Sequence, residues 1–249
     1  MTAHATTFPR PTLPRLSRVE LRKMADTRAG FWLLLIVELA AAAIVTITLI
    51  GGKPQDQDFA SLFQGTLWGV SILLPVLGIL LVTSEWSQRT ALTTFALVPE
   101  RERVVVAKIV AAVALAILAV VACLITAAIG NLIAGGSWSL ELSALANGTL
   151  FEVLGLLAGV AFGLAFLHSA LAIVLYYVLP TVWSILGESI HALDKPANWL
   201  DTSRTVQPLV DGGMGGTEWA QLGTSMALWL GLVMVIGLWR LRRAEVKSA

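Results

Sequence analysis

The sequence predicts an all-α polytopic membrane protein: six transmembrane helices preceded by an amphipathic N-terminal elbow helix. Three observations predict it. Hydrophobic residues make up 57% of the chain and charged residues only 13%, where a soluble domain carries about 25% charge. Residues 153–187 contain no Asp, Glu, Lys or Arg; as helix that run is about 52 Å long, too long for one crossing of a hydrocarbon core of roughly 30 Å and right for two. The remaining charges fall in clusters separated by apolar runs of spanning length, which is how a chain that crosses a bilayer repeatedly is written.

Residues 1–12 read as a disordered cytoplasmic tail, and residues 13–249 as a single transmembrane domain. Between 13 and 28 a helical register places Arg15, Arg18, Arg22 and Asp26 on one face and Leu13, Leu16, Leu21 and Met24 opposite. A basic amphipathic helix just before a span lies in the membrane interface. Ser17 and Glu20 have capping-box spacing, although Pro14 favours an earlier start.

The spans follow at about 31–50, 61–82, 104–130, 148–167, 170–188 and 220–239. Glu38 is the only charge in the first, and the second has none. Lys108 stands near the start of the third and Glu152 near the start of the fourth. The fourth and fifth meet at His168-Ser169, the most polar pair in the long uncharged run. Pro99, Glu100 and Glu102 suit a first helical turn, where the helix dipole favours anions. Pro180 should kink the fifth span. Gly155, Gly159 and Gly163 repeat at helical spacing, as do Gly223, Ala227 and Gly231, and Gly65 with Gly69; small-residue stripes let helices approach closely, and packing within the chain is the expected use.

Lys and Arg decide the orientation. Fourteen of the 17 lie in the N-terminal tail, the segment between spans two and three, and the C-terminal tail. These share one side of a six-span arrangement, so both termini are expected in the cytoplasm of a bacterial cell, with the protein in its plasma membrane. The first thirty residues are polar and basic and contain no short h-region, so no cleaved signal peptide is expected.

Charged groups within spans are costly, about 2.5–3.5 kcal/mol at mid-membrane. Glu38 is the deepest, and it is the candidate for a translocation path. Glu152 and Glu188 are expected to reach the headgroups. The cytoplasmic segment 84–103 is longer than the 2–8 residues a simple helix connection uses. Its middle, 91–97, is apolar but too short to span, which suits a short helix held away from the membrane. On the far side, 190–218 is the one sizeable loop and ends in the Gly-rich turn Asp211-Gly212-Gly213-Met214-Gly215-Gly216.

Several chemistries are excluded. No Walker A loop is present, since Gly51-Gly52-Lys53 lacks the upstream Gly and the 211–216 turn is followed by no Lys-Ser or Lys-Thr. His4, His168 and His191 are scattered and Cys123 is alone, so neither a metal site nor an intrachain disulfide is expected. No catalytic residues and no nucleic-acid motif are found.

The order of parts resembles the membrane (permease) subunit of ATP-binding-cassette type 2 exporters of the actinobacterial type. The resemblance runs over nearly the whole chain. It rests on the basic elbow, the Glu-containing loop with Gln88-Arg89-Thr90 and Pro99-Glu100-Arg101, the Lys108-bearing third span, and the Pro196-Ala197-Asn198-Trp199-Leu200-Asp201 segment before the last span. The family more often has Gly before Thr at the position of Arg89, so that stretch departs from the pattern. The resemblance implies a permease that pairs with a second, identical or related permease, and docks a separate ABC ATPase subunit that binds ATP and Mg; no cofactor is implied for this chain. It further implies that 13–28 is the elbow, with Arg15, Arg18 and Arg22 on it. The segment 84–103 would be the coupling loop, with Glu85, Arg89 and Arg101 as contacts to the ATPase, and 190–218 would form short outer helices that gate exit. Two other readings fit the spans alone: a self-contained secondary transporter or channel using Glu38, and a non-transporting membrane scaffold or immunity protein.

Overall fold

The structure is a computed structural model that describes residues 12–88 and 100–243. It is helical, with no strand among the described residues. Six helical stretches are long and apolar enough to cross a membrane, and the protein is an all-α polytopic membrane protein. The expected tail, Arg89, and the apolar middle of the loop between spans two and three lie outside the described residues.

Helix α1 (Leu13–Asp26) is the elbow. It starts with Pro14 in its first turn and ends at Thr27, which is extended. Thr27 then caps α2 (Arg28–Gly51), its side chain accepting from the Gly30 amide, so one residue turns the chain from elbow to first span. Ser17 donates to the Leu13 carbonyl instead of closing a capping box with Glu20.

The second span, expected at about 61–82, is built from two helices. It consists of α3 (Phe59–Ser71) and α4 (Leu74–Ser87). Pro75 has no N–H to offer the preceding turn, and the chain tightens there, Val76 bonding to Leu73. The stranded Ile72 carbonyl accepts from the Tyr177 hydroxyl of the fifth span.

The third span is α5 (Arg101–Ala134), capped at its end by Gly135 in the left-handed region. The fourth is α6 (Leu142–Phe166) and the fifth α7 (Ser169–Ser189), which runs through Pro180. Leu167, also left-handed, and His168 make the turn between them. Two short helices, α8 (Asp194–Leu200) and α9 (Thr202–Asp211), lie between the fifth and sixth spans. The sixth span is α10 (Gly216–Met226), a π-helical turn (Ala227–Leu232) and α11 (Val233–Arg243).

Helix α6 is the centre of the bundle, with α3, α4, α5, α7 and α11 packed round it. Its glycines explain the position. A Cβ on Gly159 would fall on the Pro75 carbonyl, and one on Gly163 would crowd Ile79 and Val82. Gly78 returns the contact against the Leu156 carbonyl. The stripe on α6 therefore joins two spans of one chain. The stripe on the sixth span is used differently, because Gly223 meets nothing within 4 Å. The outward faces of α2, α5 and α7 carry Ile47, Ile125, Ile129, Val174 and Val182, the surface a bilayer would solvate.

Candidate functional site

The elbow is locked to the bundle by four charged side chains that alternate in sign. Glu20 and Lys23 stand three residues apart and so share a face of α1. Glu85 is in the last turn of α4, and Lys108 is two turns into α5. Lys23 Nζ donates to Glu20 Oε1 at 2.7 Å and to Glu85 Oε1 at 2.6 Å. Lys108 Nζ donates to Glu20 Oε2 at 2.5 Å and to the Leu81 carbonyl at 2.8 Å, and lies 3.3 Å from Glu85 Oε2. Each ammonium thus bridges the two carboxylates from opposite sides, and the ring is neutral.

Glu20, Glu85 and Lys108 are buried, and Lys108 is only 4% exposed. A buried ion set of this kind persists only when its members satisfy one another. Lys23 is the partly exposed member. Burial by itself would lower its pKa, but the hydrogen bonds and negative charge of Glu20 and Glu85 outweigh burial and hold it above the ordinary lysine value.

The same end of the bundle has a second set of ties. Arg101 Nη1 donates to the Leu241 carbonyl at 2.6 Å, and Arg240 Nη1 to the Ala165 carbonyl at 2.7 Å. Arg242 pairs with Glu102 at 2.6 Å. Arginine side chains here donate to backbone carbonyls near the C-terminal ends of two helices. Elbow, start of α5 and end of α11 all meet at this terminus-bearing end.

The residues singled out from sequence separate into groups. Glu85 faces inward to the ring, and Arg101 reaches the sixth span. Arg15, Arg18 and Arg22 are exposed, with Arg22 held to Asp26 at 3.1 Å. The elbow meets the bundle through Ser17, Glu20 and Met24, while Leu13 is exposed; the apolar face drawn from periodicity is only partly the face that packs. Glu20 and Lys23 were missed as a site. The available signal was Lys108, a lone cation in an apolar helix that needed a counter-charge.

At mid-bundle Glu38 is half-buried and accepts from Thr126 Oγ1 at 2.5 Å. Cys123, one turn earlier on α5, is a buried thiol outside any disulfide. Glu152 departs from expectation. It is 1% exposed, ten residues inside α6, and its Oε1 has no hydrogen-bond partner. The helix begins at Leu142, six residues before the expected start, which carries Glu152 away from the headgroups and into the protein.

No group of His, Cys, Asp and Glu among the described residues has the arrangement of a metal site. No protein-family model matches the chain, and no curated protein matches it significantly.

Proposed function

We propose that this chain is the permease subunit of an ABC exporter, residing in the bacterial plasma membrane with its terminus-bearing end in the cytoplasm. A separate ATPase would bind ATP and Mg and supply the work, and a second permease would complete the path. The observation that carries the reading is the alternating ring of Glu20, Lys23, Glu85 and Lys108. It joins the elbow, the end of span two and the start of span three into one rigid piece. The chain leaves that piece at Gln88 and returns to it at Glu100, so both ends of the segment between spans two and three are attached to it. A force applied to that segment would move α1, α4 and α5 together rather than bend one helix. This is the mechanical property that a subunit driven from outside requires.

The reading places the coupling contacts on the segment itself. Glu85 serves as the anchor behind it, and Arg89 remains the proposed contact with the ATPase. The chain has no phosphate loop of its own, and ATP turnover is assigned to the partner.

The test is co-purification with the ATPase encoded in the same operon, followed by efflux from vesicles. Stable assembly and ATP-dependent efflux by the pair are expected. Efflux by this chain alone, driven by an ion gradient without ATP, would overturn the proposal. That outcome belongs to a second reading, a self-contained secondary transporter. It is favoured by Glu152, since an ionisable group buried inside a membrane bundle without a partner is a functional site by default.

A further inference from the structure

A cavity of about 700 Å³ opens among α3, α6, α7, α9 and the sixth span, within the usual range for drug-sized ligands. It follows α6 from Phe151 to Phe162, a rise of about 16 Å. It reaches α9, at the end of the bundle remote from the termini. Its wall is aromatic: Trp68, Phe151, Phe162, Tyr176, Tyr177 and Trp229. The rings pack on one another, Trp68 against Phe151 at 5.3 Å, and Tyr176 edge-on to Phe162 at 5.4 Å. Two backbone irregularities border this space. The break before Pro75 leaves Ile72 bonded to Tyr177, and the π turn holds Trp229, whose Nε1 donates to the Leu200 carbonyl at 2.8 Å. A π turn within an α-helix often marks a functional position.

Charge is one-sided here. Asp211 is the only Asp, Glu, Lys, Arg or His among the described residues of the wall. Its carboxylate accepts from Gln64 at 3.0 Å and Gln207 at 3.2 Å, two neutral amides that leave its charge uncompensated. The surrounding end of the molecule has the same sign. Segments 52–58, 135–141 and 188–218 together hold eight Asp and Glu against three Lys and Arg. Aromatic faces attract cations, the more so when shielded from water, and an acidic mouth concentrates them.

We propose that this cavity binds an organic monocation with a flat or multi-ring aromatic body. The rings would lie between Trp68, Phe151 and Tyr176, and the positive end would turn toward Asp211. A fully apolar lipid would leave Asp211 unused, and an anion would meet an acidic mouth. As a binding site the inference stands on the cavity alone; as the identity of an exported cargo it rests on the export reading.

The test uses the full chain in nanodiscs, without any ATPase, and radiolabelled tetraphenylphosphonium as probe. Saturable binding above empty nanodiscs is expected, with Asp211→Asn weakening it roughly fivefold. Triphenylphosphine oxide, neutral and of similar bulk, should compete at least about tenfold more weakly. Ser203→Trp on α9 should block the mouth, and Thr181→Phe should narrow the cavity from the opposite wall should the first variant fail to fold. Absence of saturable binding, or binding untouched by these substitutions, overturns the site. Equal competition by the neutral compound overturns the cation assignment. Efflux that proves independent of an ATPase, with tetraphenylphosphonium binding intact, removes the export reading and leaves the site standing.

Discussion

The two ends of the bundle are held together by different chemistry. At the terminus-bearing end the joints are made by charged side chains: the Glu20, Lys23, Glu85 and Lys108 ring, and the arginines that donate to the Leu241 and Ala165 carbonyls. At the far end hydrogen bonds between neutral groups stand beside a smaller ionic joint, in which Arg204 lies 3.4 Å from Asp194 and 3.5 Å from Asp201. Thr205 meets Ser225 at 2.7 Å in a buried pair and Gln64 donates to the Val210 carbonyl at 3.1 Å, while the buried Asp201 carboxylate accepts from Ser184 at 2.8 Å. A buried ion ring is hard to deform, because moving one member strands another. Hydrogen bonds between uncharged groups cost less to break singly, about 1 kcal/mol net each. On the export reading proposed above, the first end would be driven as a block and the second would rearrange.

The sharpest way to break this comparison is Lys108→Met. It removes one of the two ammonium groups that hold the buried Glu20 and Glu85 together, and a loss of roughly 3–5 kcal/mol is expected. Thermal unfolding of the purified protein should show it, and Glu20→Gln on the same background should recover much of the loss. A Lys108→Met protein as stable as the wild type would mean that the ring contributes no rigidity.

Next in size is Gly159→Ala. The added Cβ meets the Pro75 carbonyl, so α4 and α6 must separate, at a cost of about 1–3 kcal/mol. Gly223→Ala, where the same atom meets nothing within 4 Å, should leave the melting temperature unchanged. Measured side by side, the pair tests whether the α6 stripe is an intrachain joint.

Glu152→Gln keeps the volume of an unpartnered buried carboxyl and removes its ionisable group. Stability should hold or rise, by up to about 1 kcal/mol. Efflux measured in parallel separates the roles: transport lost at full stability assigns Glu152 to the path, and transport kept makes it a packing residue.

The ring can also be tested with alkali. Lys23 is raised by its carboxylate partners, so its contribution is complete below the ordinary lysine value of 10.5 and fades as pH climbs through the higher folded value. The melting temperature should therefore fall less steeply above that pH in Lys23→Arg, whose guanidinium stays charged. The smallest effect is expected from Arg242→Ala. Its pair with Glu102 is about two-thirds exposed on both sides, and such pairs contribute at most about 1 kcal/mol. The same burial argument decides how to probe a partner contact: Glu85→Lys would disrupt the ring whether or not an ATPase docks nearby, whereas Arg89→Glu leaves the ring's own members in place.

The short helices before the last span followed only from the family resemblance, whereas six spans and the elbow were legible in the sequence, because lipid imposes long apolar runs and leaves charge at their ends. That signal is local and survives without knowledge of neighbours. Depth and partnership are not local. Glu152 looked interfacial because a short polar stretch precedes it, yet the helix extends back to Leu142 and packing places the residue inside. Glu85 looked like a contact for another protein because it borders a long loop, and only the approach of α1 and α5 turned it inward. The break before Pro75 was written in the sequence, but the hydroxyl that relieves it comes from Tyr177, 105 residues from Ile72. The sequence by itself determined that this chain crosses a membrane six times, because hydrophobicity is a property of each segment. Which charges meet, which glycines are pressed and where the aromatic cavity opens were decided by tertiary structure alone, because each depends on atoms brought together from distant parts of the chain.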